Sequence, residues 1–269
     1  MKGLAAMDIR HTFDYRWADP SNRLHVLLGR SGYKLPARRN LEWVEIGSDN
    51  WVLVHPSPHW DHGRTFKIDP DASGNIIVFS EKCTAIGTVY LRGSGNIAII
   101  VGPDHGTTPL HLHFHANEQL FFWGKGATSN TSTFEMAYDR TNVLVGEWCM
   151  FSASIIVRTG DEHAIFDVMS GRMVNPGKDV IFEPHVWVGY GASVMKGVTV
   201  GFGSIIGAHS VVTDNVPRKS VVAGVPAKVI RQNVSWTRQR AASNDAVVNL
   251  RAYEETLADT LAITPLSPL

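Results

Sequence analysis

The 269-residue chain has only two cysteines, no excess of either charge and no long apolar run. Each shortage removes a class of protein. Cys83 and Cys149 each sit inside an apolar segment, where a buried thiol is expected rather than a disulfide or a metal ligand. Lys plus Arg and Asp plus Glu both number 25, so the electrostatic basis for capturing nucleic acid or an anionic membrane is missing. Runs such as Ile97 to Val101 fall far short of the roughly 18 residues that span a bilayer, and Met1 to Arg10 lacks the apolar core of a signal peptide. The expectation is a cytoplasmic chain without an integral membrane segment, whose partner is a neutral small molecule or a glycan.

What is present is a period of six. Phe182, Val188, Val194, Val200, Ile206 and Val212 recur in fixed phase. Four residues after each stand Val186, Ala192, Val198, Ser204, Ser210 and Val216, all small or β-branched, and Gly189, Gly201 and Gly207 directly follow the large apolar position. A helix requires a spacing near 3.6 and a half-buried sheet requires alternation; neither yields six. A sandwich of short strands would show turn signals at intervals of roughly 8 to 12 residues. Short parallel strands joined by tight turns fit: three hexads form one triangular coil, and each strand pairs with the coils above and below.

The phase extends upstream through Val145, Phe151 and Val157, then breaks. Residues Arg158 to Lys178, RTGDEHAIFDVMSGRMVNPGK, carry charge, Gly and Pro without a repeat and read as a loop extruded from one corner. Ile76 to Val101 and Leu110 to Trp123 are strand-like but irregular, and read as earlier coils. The organisation expected is therefore an irregular region at 1–70, a β-helix at 71–228 with residues 158–178 extruded, and a C-terminal helical segment at 229–269. In the last, Asn244 is the expected N-cap, and Val247, Leu250, Leu257 and Leu261 share a face.

The segment HVWVGYGASVMKGVTVGFGSIIGAHSVVTDNVPRKSVVAGVPAKVI resembles the C-terminal signature of the hexapeptide-repeat acyltransferases. VGEWCMFSASIIVRTGDEHAIFD and the following GKDV resemble in particular the bacterial polysaccharide O-acetyltransferases, including polysialic acid capsule enzymes. The similarity is specific over about residues 143 to 240, weak over 75 to 142 and absent before that. It implies an all-β, left-handed parallel β-helix, a homotrimer with active sites between subunits, and acetyl-CoA as co-substrate. The implied acceptor is a hydroxyl of a carbohydrate, and no metal is expected.

Moving an acetyl group from a thioester to a sugar hydroxyl at neutral pH requires a base, and histidine has the suitable pKa. His163 stands in the extruded loop among Asp161, Glu162 and Asp167. It matches the family's T-x-x-H histidine, counting one extra residue from Thr159. By the same resemblance, Trp187 faces the coenzyme sulfur, its indole offering one N–H donor. The backbone N–H of Tyr190 is a candidate for stabilising the oxyanion or holding pantetheine. Gly207, Ala208 and Thr213 match coenzyme-contacting positions, and Lys228 and Arg231 match the cations at the nucleotide end, with Arg218 and Lys219 as local reserves. His209 replaces a glycine found in many relatives.

Other readings compete. An N-acetyltransferase of amino-sugar nucleotides shares the fold and cofactor, and a non-catalytic scaffold shares the fold alone. His111-Leu-His113-Phe-His115, with Glu118, resembles the metal-binding run of cupins, but the second histidine motif of a cupin is missing. The β-helical carbonic anhydrases bind zinc through three histidines, but their H-x-x-x-x-H spacing differs from that of His111 and His115.

Overall fold

The computed structural model describes residues 42–239 apart from 48, 55–60, 81–82 and 103–107. The chain divides into two compact units, Met1–Val234 and Ser235–Leu269. In the first, the strands form a parallel β-solenoid with sheets of eight, seven and six strands. The described residues of the second unit are few; in them the Arg238 guanidinium lies 6.0 Å from the centre of the Trp236 ring. The expected C-terminal helix, from Asn244 to Leu261, lies outside the described residues. Among the described residues there is no α-helix.

The hexads behave as their spacing requires. Phe182 pairs with Val200, Val188 with Ile206 and Val194 with Val212, so three hexads complete one coil. All six large apolar residues are buried, as are all six residues of the small column. The upstream phase holds too: Val145 pairs with Phe182, Phe151 with Val188 and Val157 with Val194. The solenoid register thus closes across the loop as though the loop were not there.

Among the described residues before Leu120 the coils show strands of the first and second sheets, and the first strand of the third sheet is Thr128–Ser129. That architecture hides the six-residue period upstream. The ladder also starts ahead of residue 71: Asn50–Val54 pairs in parallel with Ile76–Phe79, and Arg64–Ile68 with Ala85–Leu91. Glu42–Gly47 caps this end as an antiparallel partner of Asn50–Val54, and Ala227–Gln232 caps the other end against Ser220–Gly224. The antiparallel caps cover edges that would otherwise template further pairing.

Two stacks run inside the coils. Phe121, Trp123, Phe134, Phe151 and Phe182 are all essentially inaccessible, with ring centroids 4.9–6.2 Å apart from one to the next. At the corner between the second and first sheets runs a buried polar ladder. Asn75 Nδ2 donates to Asn50 Oδ1 at 2.7 Å, Asn75 Oδ1 accepts from the Asn96 N–H at 2.8 Å, and Asn96 Oδ1 accepts from the Gln119 N–H at 2.8 Å. Gln119 Nε2 donates to Thr141 Oγ1 at 3.2 Å, and Thr141 Oγ1 lies 2.9 Å from Thr159 Oγ1. Two of these bonds satisfy the backbone N–H groups of Asn96 and Gln119, which burial would otherwise penalise.

Candidate functional site

The polar ladder ends at Thr159, and there the loop leaves the solenoid. Thr159 is fully buried; its Oγ1 accepts from the Ala137 N–H at 2.9 Å, and its own N–H donates to Glu135 O at 3.1 Å. The Lys178 N–H donates to Thr159 O at 2.9 Å and closes the neck. Gly160 and Gly177 flank this neck because the Tyr138 ring fills the space beside them: a Cβ on Gly160 would stand 2.5 Å from Tyr138 Cδ2, and one on Gly177 2.8 Å from Tyr138 Cβ.

Above the neck, the buried Asn175 ties the two arms together. Its Nδ2 donates to His163 O at 2.8 Å and to Asp161 Oδ2 at 2.9 Å, while its Oδ1 accepts from the Ile165 N–H at 2.6 Å. Lys196, from the next coil, donates to the Asp161 carboxylate and, at 3.0 Å, to Asn175 O. Lys196 and the Asn175 amide hold the Asp161 carboxyl below its ordinary range, so the anion is the form that pins the loop. Farther out the arms form a hairpin, with the Val174 N–H donating to Ile165 O at 2.8 Å and Asp167 capping the tip through the N–H groups of Met169 and Ser170.

His163 sits at the base of this hairpin with its main chain fixed on both sides. Its N–H donates to Asp161 O at 2.7 Å and its carbonyl accepts from Asn175. Its imidazole is exposed. Its backbone is thus held by hydrogen bonds on both sides while the imidazole faces solvent.

Trp187, 37% exposed, opens the Trp187–Val188 strand of the third sheet. It does not share a corner with His163, whose loop leaves where the second sheet passes to the first. Tyr190, Gly207 and Ala208 do come together, in stacked turns between the third and second sheets. There the Gly207 N–H donates to Val222 O at 2.8 Å, and a Cβ on Gly207 would lie 3.0 Å from Ala223 Cβ. His209 occupies the same turn: its ring packs edge-on to Tyr190 with centroids 5.2 Å apart, and it lies under Gly191, where a Cβ would stand 2.6 Å from Nδ1. Thr213 is at a different corner. Its neighbour Asp214 lies 3.5 Å from Lys228 Nζ, and Arg231 is exposed on the final strand.

No family model matches the sequence. Individual relatives do. The chain is 39% identical over 105 residues to a polysialic acid O-acetyltransferase of Escherichia coli O1:K1, a match covering 39% of this chain and 34% of that protein. It is 32% identical over 124 residues to a galactoside O-acetyltransferase of Lactococcus lactis, covering 46% of this chain and 58% of that one. The chain thus spans about a third and somewhat over half of these curated relatives. The crystal structure of the polySia-specific acetyltransferase NeuO superposes with a TM-score of 0.58 at 31% identity, over 72% of this chain and 99% of that one. The chain belongs to the hexapeptide-repeat acyltransferase family.

Within this family member, sequence reasoning missed the groups that hold the loop. Asn175, Lys196 and Tyr138 act through contacts between distant segments, and nothing in their local spacing marks them. Arg218, held in reserve as a cation for the coenzyme, is committed elsewhere: its Nε and Nη2 lie 2.6 and 2.8 Å from the two carboxylate oxygens of Glu183. Glu118, the carboxylate of the cupin-like reading, turns away to Arg140 at 2.9 Å.

Proposed function

We propose that the chain is an acetyl-CoA-dependent O-acetyltransferase of carbohydrates, with a bacterial surface polysaccharide or its precursor as acceptor. In this reading the solenoid is a left-handed β-helix that assembles as a cytoplasmic homotrimer. The single observation that carries the reading is the rooted loop: within the hexad register from Val145 to Val212, one interruption presents one histidine on a fixed backbone. The placing of His163 and Trp187 at different corners of one chain supports a site built between adjacent subunits.

His163 takes the proton of the acceptor hydroxyl as its oxygen bonds to the thioester carbonyl carbon. The backbone N–H of Tyr190 is the donor for the oxyanion that forms. As the C–S bond breaks, the Trp187 indole N–H donates to the departing sulfur, and the proton on His163 returns to the thiolate or to solvent. Gly207 and Ala208 make a turn without side chains beyond Cβ, which suits the pantetheine arm; Thr213, Lys228 and Arg231 complete the coenzyme contacts, the two cations serving its phosphates. No covalent enzyme intermediate is involved.

The test is coenzyme A release from acetyl-CoA with a panel of bacterial polysaccharides, simple glycosides and an amino-sugar nucleotide. Turnover of a hydroxyl acceptor supports the reading; turnover of the amino sugar alone replaces it with N-acetyl transfer, and no turnover of any acceptor overturns it.

The chain's own thiols are expected not to disturb this assay. Burial pushes the Cys83 thiol up to about 11, and Cys149 is buried with Sγ 3.3 Å from Glu183 O. At pH 8 about one Cys83 in a thousand is thiolate, so Ellman's reagent should label the native chain far more slowly than the denatured one. Fast labelling of the native chain would contradict the burial.

Gly160→Ala is expected to lower kcat by about ten- to a hundredfold through displacement of the loop neck from Tyr138. The KM for acetyl-CoA should change less than about twofold, because the coenzyme turns lie on other coils. Adding Tyr138→Leu should recover part of the rate. An alanine variant with full activity would show that the neck does not position His163.

A further inference from the structure

The outer face of the second sheet carries a cluster that the transfer chemistry does not use. His113 lies on the Thr108–Phe114 strand, and Glu135 stands directly across from it in register on Ser132–Met136. His115 stands one residue past the end of that strand and reaches the same side, where it meets Glu135. Glu135 sits between the two rings and addresses one with each oxygen: Oε1 lies 3.0 Å from His113 Nδ1 and Oε2 lies 2.7 Å from His115 Nε2. The ring centroids are 5.9 Å apart and nearly perpendicular. The side chains are 28%, 19% and 18% exposed for His113, His115 and Glu135 respectively, open enough to admit an ion and its water but shielded from free tumbling.

We propose that His113, His115 and Glu135 form a binding site for a first-row divalent transition metal, with zinc the best suited. One donor atom from each side chain lies within 4.8 Å of the other two. Around a tetrahedral ion with bonds of about 2.1 Å, neighbouring donors stand about 3.4 Å apart. The trio would close from its present separation to that spacing by rotation of the side chains. Two imidazoles and a carboxylate favour zinc, cobalt or nickel over magnesium or calcium, which prefer sets made only of oxygen. The fourth position falls to water. The protons now shared with Glu135 leave the ligating nitrogens, for the other ring nitrogen or for solvent, and both lone pairs and the carboxylate then meet at the ion.

The surroundings are consistent with a fixed site rather than a chance contact. On one side Tyr90 pairs in register with His113 and presents its ring edge at 6.3 Å. Its hydroxyl is tied to Asp69 Oδ1 at 2.9 Å, which stops it folding over the rings. On the other side Glu135 pairs with Arg158 and accepts through its carbonyl from Thr159, the root of the loop. An ion here would join the neck of the His163 loop to two coils of the solenoid. His111 is on the same strand face but takes no part in the trio and serves as an internal control.

The test is metal uptake by the full-length, tag-free chain after chelator treatment, independent of acetyl transfer. Titration with Co²⁺ followed by visible absorption, and with Zn²⁺ by calorimetry, is expected to saturate at one ion per chain, with X-ray absorption showing nitrogen and oxygen ligands. His113→Ala, His115→Ala and Glu135→Ala should each weaken binding at least tenfold, and His111→Ala should leave it unchanged. His115→Gln keeps a hydrogen-bond donor beside Glu135 but is a poor zinc ligand, so it should lose binding without losing the fold, as judged by circular dichroism. No saturable uptake by the wild type, or uptake that survives His115→Gln, would overturn the site. Equal loss in His111→Ala would place the ion elsewhere and do the same.

Discussion

His163→Ala is expected to lower kcat for acetyl transfer by about 10²–10⁴-fold, the contribution of a positioned proton acceptor. The KM for acetyl-CoA should stay within about twofold of the parent, because Tyr190, Gly207 and Ala208 lie at another corner. The melting temperature should be unchanged. The reason is visible in the loop: everything that fixes residue 163 runs through its main chain, from its N–H to Asp161 O and from Asn175 Nδ2 to its carbonyl. The exposed imidazole supplies no support to the fold, so its removal separates chemistry from structure. Asn175→Ala would not, since Asn175 bonds three loop residues and its loss is expected to lower both rate and stability. Retention of nearly full rate by His163→Ala would remove the general-base role.

The contrast between those two residues also explains what could be read before the structure. A periodic apolar column announces itself because burial on one axis demands the same residue type in every hexad, and all twelve positions from Phe182 to Val216 are buried as that logic requires. The loop is legible for the converse reason: it is where the column stops. Thr159 and Lys178, its two ends, are joined by a single backbone hydrogen bond. Upstream the same physics leaves a weaker trace. The described strands of the coils from Asn50 to Ile100 are longer, four to seven residues, so their apolar residues recur at coil lengths set by corner turns rather than by hexads. The corners are then stabilised by Asn50, Asn75 and Asn96, three polar residues whose burial no local pattern implies. His113 and Glu135 belong to the same class: far apart in the chain, they become neighbours only through strand register. The sequence pointed instead to Glu118, which is nearer to the histidines but lies in a turn and pairs with Arg140.

Phe134→Ala is expected to destabilise the solenoid by about 3–5 kcal/mol, the cost of removing a fully buried aromatic ring. Phe134 touches three others: its ring centroid lies 4.9 Å from Phe121, 5.9 Å from Trp123 and 6.2 Å from Phe151. The surrounding main chain is held on both sides by parallel ladders to Thr108–Phe114 and Ile155–Arg158, so the coil cannot collapse into the space. A parallel solenoid is stabilised by nearest-neighbour coils, and a weak coil in the middle divides it. Denaturant unfolding of the variant should therefore lose its single transition as well as shift to lower concentration, with the coils after Phe134 unfolding separately from those before it. Val212→Ala, near the end of the stack, should cost less and keep one transition. The decisive measurement is hydrogen exchange along the chain of the Phe134 variant. Faster exchange spread evenly over all coils would mean that the solenoid unfolds as one cooperative body, and would refute the division at Phe134.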